Sequence, residues 1–218
     1  MDEPPTRTTP DLRTAMRTGA CGTLSASDAG SHVALCGWVA RRRDHGGVTF
    51  IDLRDREGVV QIVFHPDDAP VAHAAAQELR GEWVVRIMGV VRERPAGMAN
   101  VDLATGAVEV AVTSVEVLNR AETPPFVIED RIEADELLRL EYRYLDLRRP
   151  EMTRGLRLRH EINRTIREHM DPLGFLEVET PVLTTATPEG ARDFLVPSRM
   201  FPGSFYALPQ SPSNSSSC

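Results

Sequence analysis

Lysine is absent from the 218 residues: all 25 basic side chains are arginine, set against 32 acidic ones for a net charge of −7. That balance excludes indiscriminate coating of nucleic acid, so any phosphate contact has to come from a local cluster such as Arg41-Arg42-Arg43. The missing lysine is itself explained by GC-rich codon usage, since lysine codons are A-rich. Cysteine is scarce as well. Cys21, Cys36 and Cys218 form no CxxC pair, which leaves out a structural zinc or a disulfide framework and fits a reducing cytoplasm. No apolar run approaches the roughly 20 residues of a membrane helix. Met1 to Pro10 lacks the apolar stretch of about 7–15 residues that a secretory signal needs, and residues 1–15 read as a flexible tail. The chain shows no internal repeat, no glycine-rich phosphate cradle, no metal-ligand cluster and no nucleophile beside a base.

Apolar patterning is plentiful, with 41% hydrophobic residues, enough for one domain of about 100–150 residues and part of another. Short β-branched and aromatic runs at Val33–Val39, Val48–Leu53 and Val59–Phe64 predict three strands, with Asp44-His45-Gly46-Gly47 as the turn between the first two. An Ala-rich stretch from Val71 to Leu79 predicts a helix, and Trp83–Val91 and Val108–Leu118 predict two more strands. Three strands, a helix and two strands is the order of an OB-fold, a five-stranded Greek-key barrel that binds single-stranded oligonucleotides. That domain occupies residues 16–120. Pro124-Pro125 and the acids around them mark 121–150 as a hinge or linker. Residues 151–170 carry Leu156, Ile162 and Ile166 among charges and predict a long helix, ended by Pro172-Leu173-Gly174, with a strand at Phe175–Val178.

Four segments resemble bacterial-type aspartyl-tRNA synthetases: GWVARRRDHGGVTFIDLRDREGVVQIVF (37–64), RYLDLRRPEM (143–152), GFLEVETPVLTTATPEGARDFLVPSR (174–199) and FYALPQSP (205–212). The resemblance implies a five-stranded OB-fold barrel followed by the first part of a class II antiparallel-sheet catalytic domain, residues 151–212, a β plus α/β architecture overall. It implies that the barrel grips a tRNA anticodon with its bases splayed out. Phe50 would stack on the central base, Arg43 and Gln61 would hydrogen-bond around it, and Glu109 would accept from the first base. Arg92, Arg94 and Asn100 would line the remaining position. His45 falls in a turn whose His-Gly resembles enzymes that also accept asparagine tRNA. Pro181 would end a dimer-interface strand, and the Glu189 carboxylate would pair with the ammonium of the amino acid. Plainer readings compete with each: a core phenylalanine, a solvated arginine, a polar turn histidine, a loop acid.

The resemblance further implies an ATP- and magnesium-dependent ligase that joins L-aspartate to tRNA(Asp), with tRNA(Asn) a further partner, working as a cytoplasmic homodimer away from any membrane. It stops at Pro212. The Gln and Lys that contact aspartate in such enzymes fall on Ser213 and Ser216, and the motifs holding ATP and magnesium would lie beyond residue 218, so an incomplete catalytic set is expected. Codons for Phe-Lys-Gln-Leu-Leu-Met written TTC AAA CAG CTC CTC ATG C and read one base late give Ser-Asn-Ser-Ser-Ser-Cys, the 213–218 tail, which points to a small deletion just after Pro212 that shifted the frame. The alternative function is a stand-alone tRNA- or RNA-binding barrel without catalysis.

Overall fold

The computed structural model describes residues 14–185 and 194–208. Its contacts divide the chain into two units that meet at Pro150 and Glu151. In the first unit, strands β1 (His32–His45), β2 (Val48–Arg54), β3 (Val59–Phe64), β4 (Val84–Glu93) and β5 (Val108–Asn119) form a closed barrel in the order β1-β2-β3-β5-β4, with helix α1 (Pro70–Ala76) between β3 and β4. The predicted element order is therefore the observed one. A parallel β3–β5 pair and an antiparallel β1–β4 pair complete the closure.

Alternation decides which side chains enter the barrel. Along β2, Thr49, Ile51 and Leu53 are buried while Val48, Phe50, Asp52 and Arg54 are only partly covered. Leu35, Val39, Ile51, Leu53, Val60, Ile62, Phe64, Val85, Ile87, Val91, Val108 and Val110 fill the core, joined by Ala72 and Ala76 of α1. Each larger side chain removed from water contributes about 1.5–3 kcal/mol.

The first strand serves two neighbours. Its first half pairs with β4 and its second half with β2, and a register shift between Val39 and Arg41 bends it from one to the other. Gly37 sits at the crossing, where a Cβ would lie 2.6 Å from the Arg54 carbonyl oxygen. The strand does not stop at Val39, and the turn is shorter than the expected Asp44–Gly47. Backbone pairing carries β1 through the arginines to His45, which opposes Val48. Only Gly46 and Gly47 remain in the turn, both at positive φ (58° and 81°) as a two-residue type I′ hairpin requires.

Residues 121–150, expected as a linker, hold two short helices, α2 (Glu136–Glu141) and α3 (Arg143–Asp146), around a small cluster of Phe126, Ile128 and Leu145. Asp146 is fully buried; Arg149 donates to it at 2.8 Å, Arg143 pairs with it and Arg139 lies 3.9 Å away. This segment is tied to the barrel. Trp83 Nε1 donates to the Ala121 carbonyl (3.1 Å), the Arg148 guanidinium lies 4.1 Å over the Trp38 ring, and Arg148 and Arg54 both pair with Glu82.

In the second unit, the expected long helix is α4 (Pro150–Met170), stopped by a 3-10 turn and by Gly174 at φ 82°. None of its residues is buried. The strand expected at Phe175–Val178 is not formed. Phe175, Leu176 and Val178 are exposed, and no described strand lies beside them to supply a ladder. β6 (Leu195–Pro197) and β7 (Phe205–Ala207) pair as a small hairpin, with Thr184 bridging to Ala207.

Candidate nucleic-acid interface

The I′ turn fixes the register that builds the site. With His45 opposite Val48, Arg43 falls opposite Phe50, and both project from the outer face of the barrel. Phe50 is half-buried there, clear of the interior. Beyond it runs a ladder of polar side chains that visits every strand. Arg43 Nη2 of β1 donates to Asp52 Oδ1 of β2 (2.6 Å) and reaches Gln61 Oε1 of β3 (3.4 Å). Gln61 Nε2 donates to Glu109 Oε2 of β5 (2.8 Å), and Arg92 Nε of β4 donates to Glu109 Oε1 (2.8 Å). Three separate backbone registers, Asp52↔Gln61, Ile62↔Val110 and Arg92↔Glu109, place these residues side by side.

Burial is uneven along the ladder. The Glu109 side chain is 5% exposed and its partner Arg92 is 44% exposed, so one charge is enclosed and the other reaches solvent. Burial pushes the Asp52 carboxyl up, against the opposing pull of Arg43, Arg41 and Arg94. Arg94 donates from Nε to the Val108 carbonyl (3.0 Å), while its Nη2 is buried with no hydrogen-bond partner among the described residues. An unpaired buried donor costs about 1–3 kcal/mol, which a ligand acceptor would relieve.

The ladder brings together Arg43, Gln61, Glu109 and Arg92 beside Phe50, with Arg94 close by. Asn100 stands apart in the β4–β5 loop: its Oδ1 accepts from the Asp102 amide (3.0 Å) and its own amide donates to the Gly106 carbonyl (2.9 Å). His45 is exposed at the hairpin tip and Pro181 is exposed in an irregular segment of the second unit. Glu189, Ser213 and Ser216 lie outside the described residues. The three consecutive arginines do not form one patch, because alternation turns Arg42 away from Arg41 and Arg43 toward Gln77 beyond α1. Sequence reasoning missed Asp52, although a two-residue turn at Gly46-Gly47 already places it one step past the Arg43–Phe50 pair.

Residues 33–118 match a family described as OB-fold nucleic acid binding domain, and residues 135–214 match tRNA synthetases class II (D, K and N). The chain is 60% identical over 196 residues, 90% of its length, to the aspartate–tRNA(Asp/Asn) ligases of Oleidesulfovibrio alaskensis and of Moorella thermoacetica. The chain belongs to the aspartyl-tRNA synthetase family. It spans about a third of the length of these synthetases, 32% in both cases. Among solved structures, asparaginyl-tRNA synthetase from Pyrococcus horikoshii complexed with asparaginyl-adenylate superposes with a TM-score of 0.72 at 27% identity, over 89% of this chain and 43% of that one. The fold is shared with a putative aspartyl-tRNA synthetase of Leishmania major, at a TM-score of 0.71, 18% identity, and 95% and 42% of the two chains.

Magnesium and ATP serve synthetase chemistry, so the fit of this part of the chain to them matters. No three His, Cys, Asp or Glu side chains among the described residues are grouped to hold a metal ion. The described residues therefore do not fit a magnesium centre. What they offer is a binding surface with an aromatic face, donors and one fixed acceptor.

Proposed function

We propose that this chain carries the anticodon-reading part of an aspartate–tRNA ligase. The observation that carries the reading is the Phe50 ring on the outer face of the barrel, framed by the Arg43–Asp52–Gln61–Glu109–Arg92 ladder. Single-stranded bases are read by stacking on such rings and by hydrogen bonds to their edges. Phe50 stacks on the central anticodon base, Arg43 and Gln61 bond around it, and Glu109 accepts from the first base. Arg92, Arg94 and Asn100 line the third position. Fluorescence anisotropy with an anticodon stem-loop bearing GUC tests this. Phe50→Ala weakens binding about 5- to 160-fold, the equivalent of the roughly 1–3 kcal/mol of one base stack. Unchanged affinity in a folded variant rejects the assignment.

In the complete enzyme the reaction is ATP- and magnesium-dependent attachment of L-aspartate to tRNA through aspartyl-adenylate, in the cytoplasm, with Glu189 holding the ammonium. The described residues hold no group fitted to a metal ion, and a pyrophosphate-exchange assay with aspartate and ATP is expected to give no turnover. The exposed His45 at the Gly46-Gly47 tip and the tRNA(Asp/Asn) names of the relatives favour relaxed pairing, in which GUC and GUU stem-loops bind within a few-fold of each other. Exposed Leu156, Ile162 and Ile166 of α4, with Phe175 and Val178, favour homodimerisation through the face that ends at Pro181. The second reading, a binding module without catalysis, is favoured by the closed barrel with its own core. Measurable exchange by the 218-residue chain overturns it.

A further inference from the structure

The side of the β1–β2 hairpin away from Phe50 carries a second network that anticodon contact leaves unexplained. Alternate cross-strand pairs face opposite ways. Arg43–Phe50 and His45–Val48 take one face, while Arg42–Ile51 and Asp44–Thr49 take the other. On that other face stands Gln77, the residue that caps the C-terminus of α1. Its backbone carbonyl accepts from Arg42 Nη1 (2.7 Å) and its Oε1 accepts from Arg42 Nη2 (2.6 Å). Its Nε2 donates to Thr49 Oγ1 (2.7 Å), and Thr49 Oγ1 in turn donates to Asp44 Oδ1 (2.8 Å). Arg42 Nη2 closes the circuit on Asp44 Oδ2 (2.8 Å).

One exposed side chain thus grips both strands of the hairpin just below its tip. Thr49 is fully buried, so its hydroxyl has no access to water in exchange for these partners. Arg42 holds its place although its Nε is buried without a partner among the described residues. A two-residue turn with glycine at both positions fixes register without stiffening the strands that flank it. Stiffness at residues 42–49 has to come from elsewhere, and the circuit supplies it.

We propose that Gln77, Thr49, Arg42 and Asp44 are positioning residues for anticodon discrimination: anchored to α1, they hold the hairpin so that Arg43 and Phe50 meet the central base in a single pose. This rests on the anticodon reading above. Loosening the circuit leaves the stacking ring and the basic side chains in place, so RNA still binds. It relaxes the geometry by which Arg43 tells the central U from another base.

The test measures affinities of the 218-residue chain for stem-loops bearing GUC and GCC, which differ only at the central base. Gln77→Ala and Thr49→Val lower the GUC preference about threefold to tenfold, and Thr49→Ser, which keeps the hydroxyl, retains it. Gln77 is exposed, so its truncation leaves the barrel folded even if Thr49→Val does not. In a Phe50→Ala background Gln77→Ala adds little, since the element it positions is gone. A preference unchanged in Gln77→Ala, or affinities for both loops reduced in equal proportion, overturns the positioning role and leaves the anticodon reading standing. A wild-type chain indifferent to the central base overturns both.

Discussion

Two aspartates on the β1–β2 hairpin titrate in opposite senses, and each has a consequence. The Thr49 hydroxyl, with Arg42 and Gln77, holds the Asp44 carboxyl below its ordinary value of 3.8. A carboxyl lowered in the fold adds stability that is fully present above the unfolded value and is lost as pH falls through the folded one. Thermal melts should therefore show wild type ahead of Asp44→Asn at neutral pH, with the gap closing below about pH 3.8. An equal gap at every pH would remove the titration from the explanation. Asp52 runs the other way, because burial favours its neutral form. On the anticodon reading proposed above it also competes with RNA for Arg43, which donates to it at 2.6 Å. Asp52→Asn should tighten GUC stem-loop binding several-fold at pH 7, with the advantage shrinking as the wild-type carboxyl protonates; weaker binding would mean that Asp52 orients Arg43 instead of occupying it. The chain of letters carried part of this. Phe50 and Arg43 were singled out by resemblance, the alternating run around Phe50 equally allowing a core ring, whereas the partnership of Gln61 with Glu109 depends on strands 48 residues apart in sequence.

Among elements, strands β2 and β3 were the most legible, because unbroken apolar alternation has one interpretation at that length. The second half of β1 was not, since Arg41, Arg42 and Arg43 carry no hydrophobic signal and pair only because β2 lies beside them. The strand expected at Phe175–Val178 failed for the complementary reason: its composition is right and no described strand lies beside it. The 121–150 segment was read from its prolines, and nothing local announced that Asp146 would gather Arg139, Arg143 and Arg149. The β4–β5 loop shows how tightly such irregular pieces can be set. A Cβ on Gly106 would lie 1.7 Å from the Asn100 carbonyl oxygen, so Gly106→Ala must displace the loop backbone. Loss of about 1–3 kcal/mol in urea unfolding is expected, in line with other overpacked sites. On the anticodon reading proposed above Asn100 serves the third position, and because it moves with that loop, binding there should weaken in the same variant. A substitution tolerated in both assays would show that the loop has room to adjust.

At the scale of the whole molecule the two units differ in what supports them. The barrel encloses its apolar side chains, whereas α4 presents Leu156, Leu158, Ile162 and Ile166 to solvent. Amide hydrogen exchange should divide the chain accordingly, with slow exchange across β1 to β5 and fast exchange along 151–183. Comparable protection in both would indicate cover for α4 that the described residues do not provide. Within the first unit, Arg148 stacked on Trp38 and paired with Glu82 ties the 121–150 segment to the barrel. Arg148→Ala should change Trp fluorescence and leave the barrel's melting point within a few degrees.

The solvent-facing apolar stripe of α4 carries one last implication. Most of the stability of a protein helix comes from packing of its apolar face, so under the homodimer reading proposed above the order of this 21-residue helix depends on its partner. On that reading its helicity obeys mass action: dilution acts as a denaturant for the second unit and is invisible to the barrel. Circular dichroism at successively lower protein concentrations should lose helical signal while the β-barrel spectrum persists.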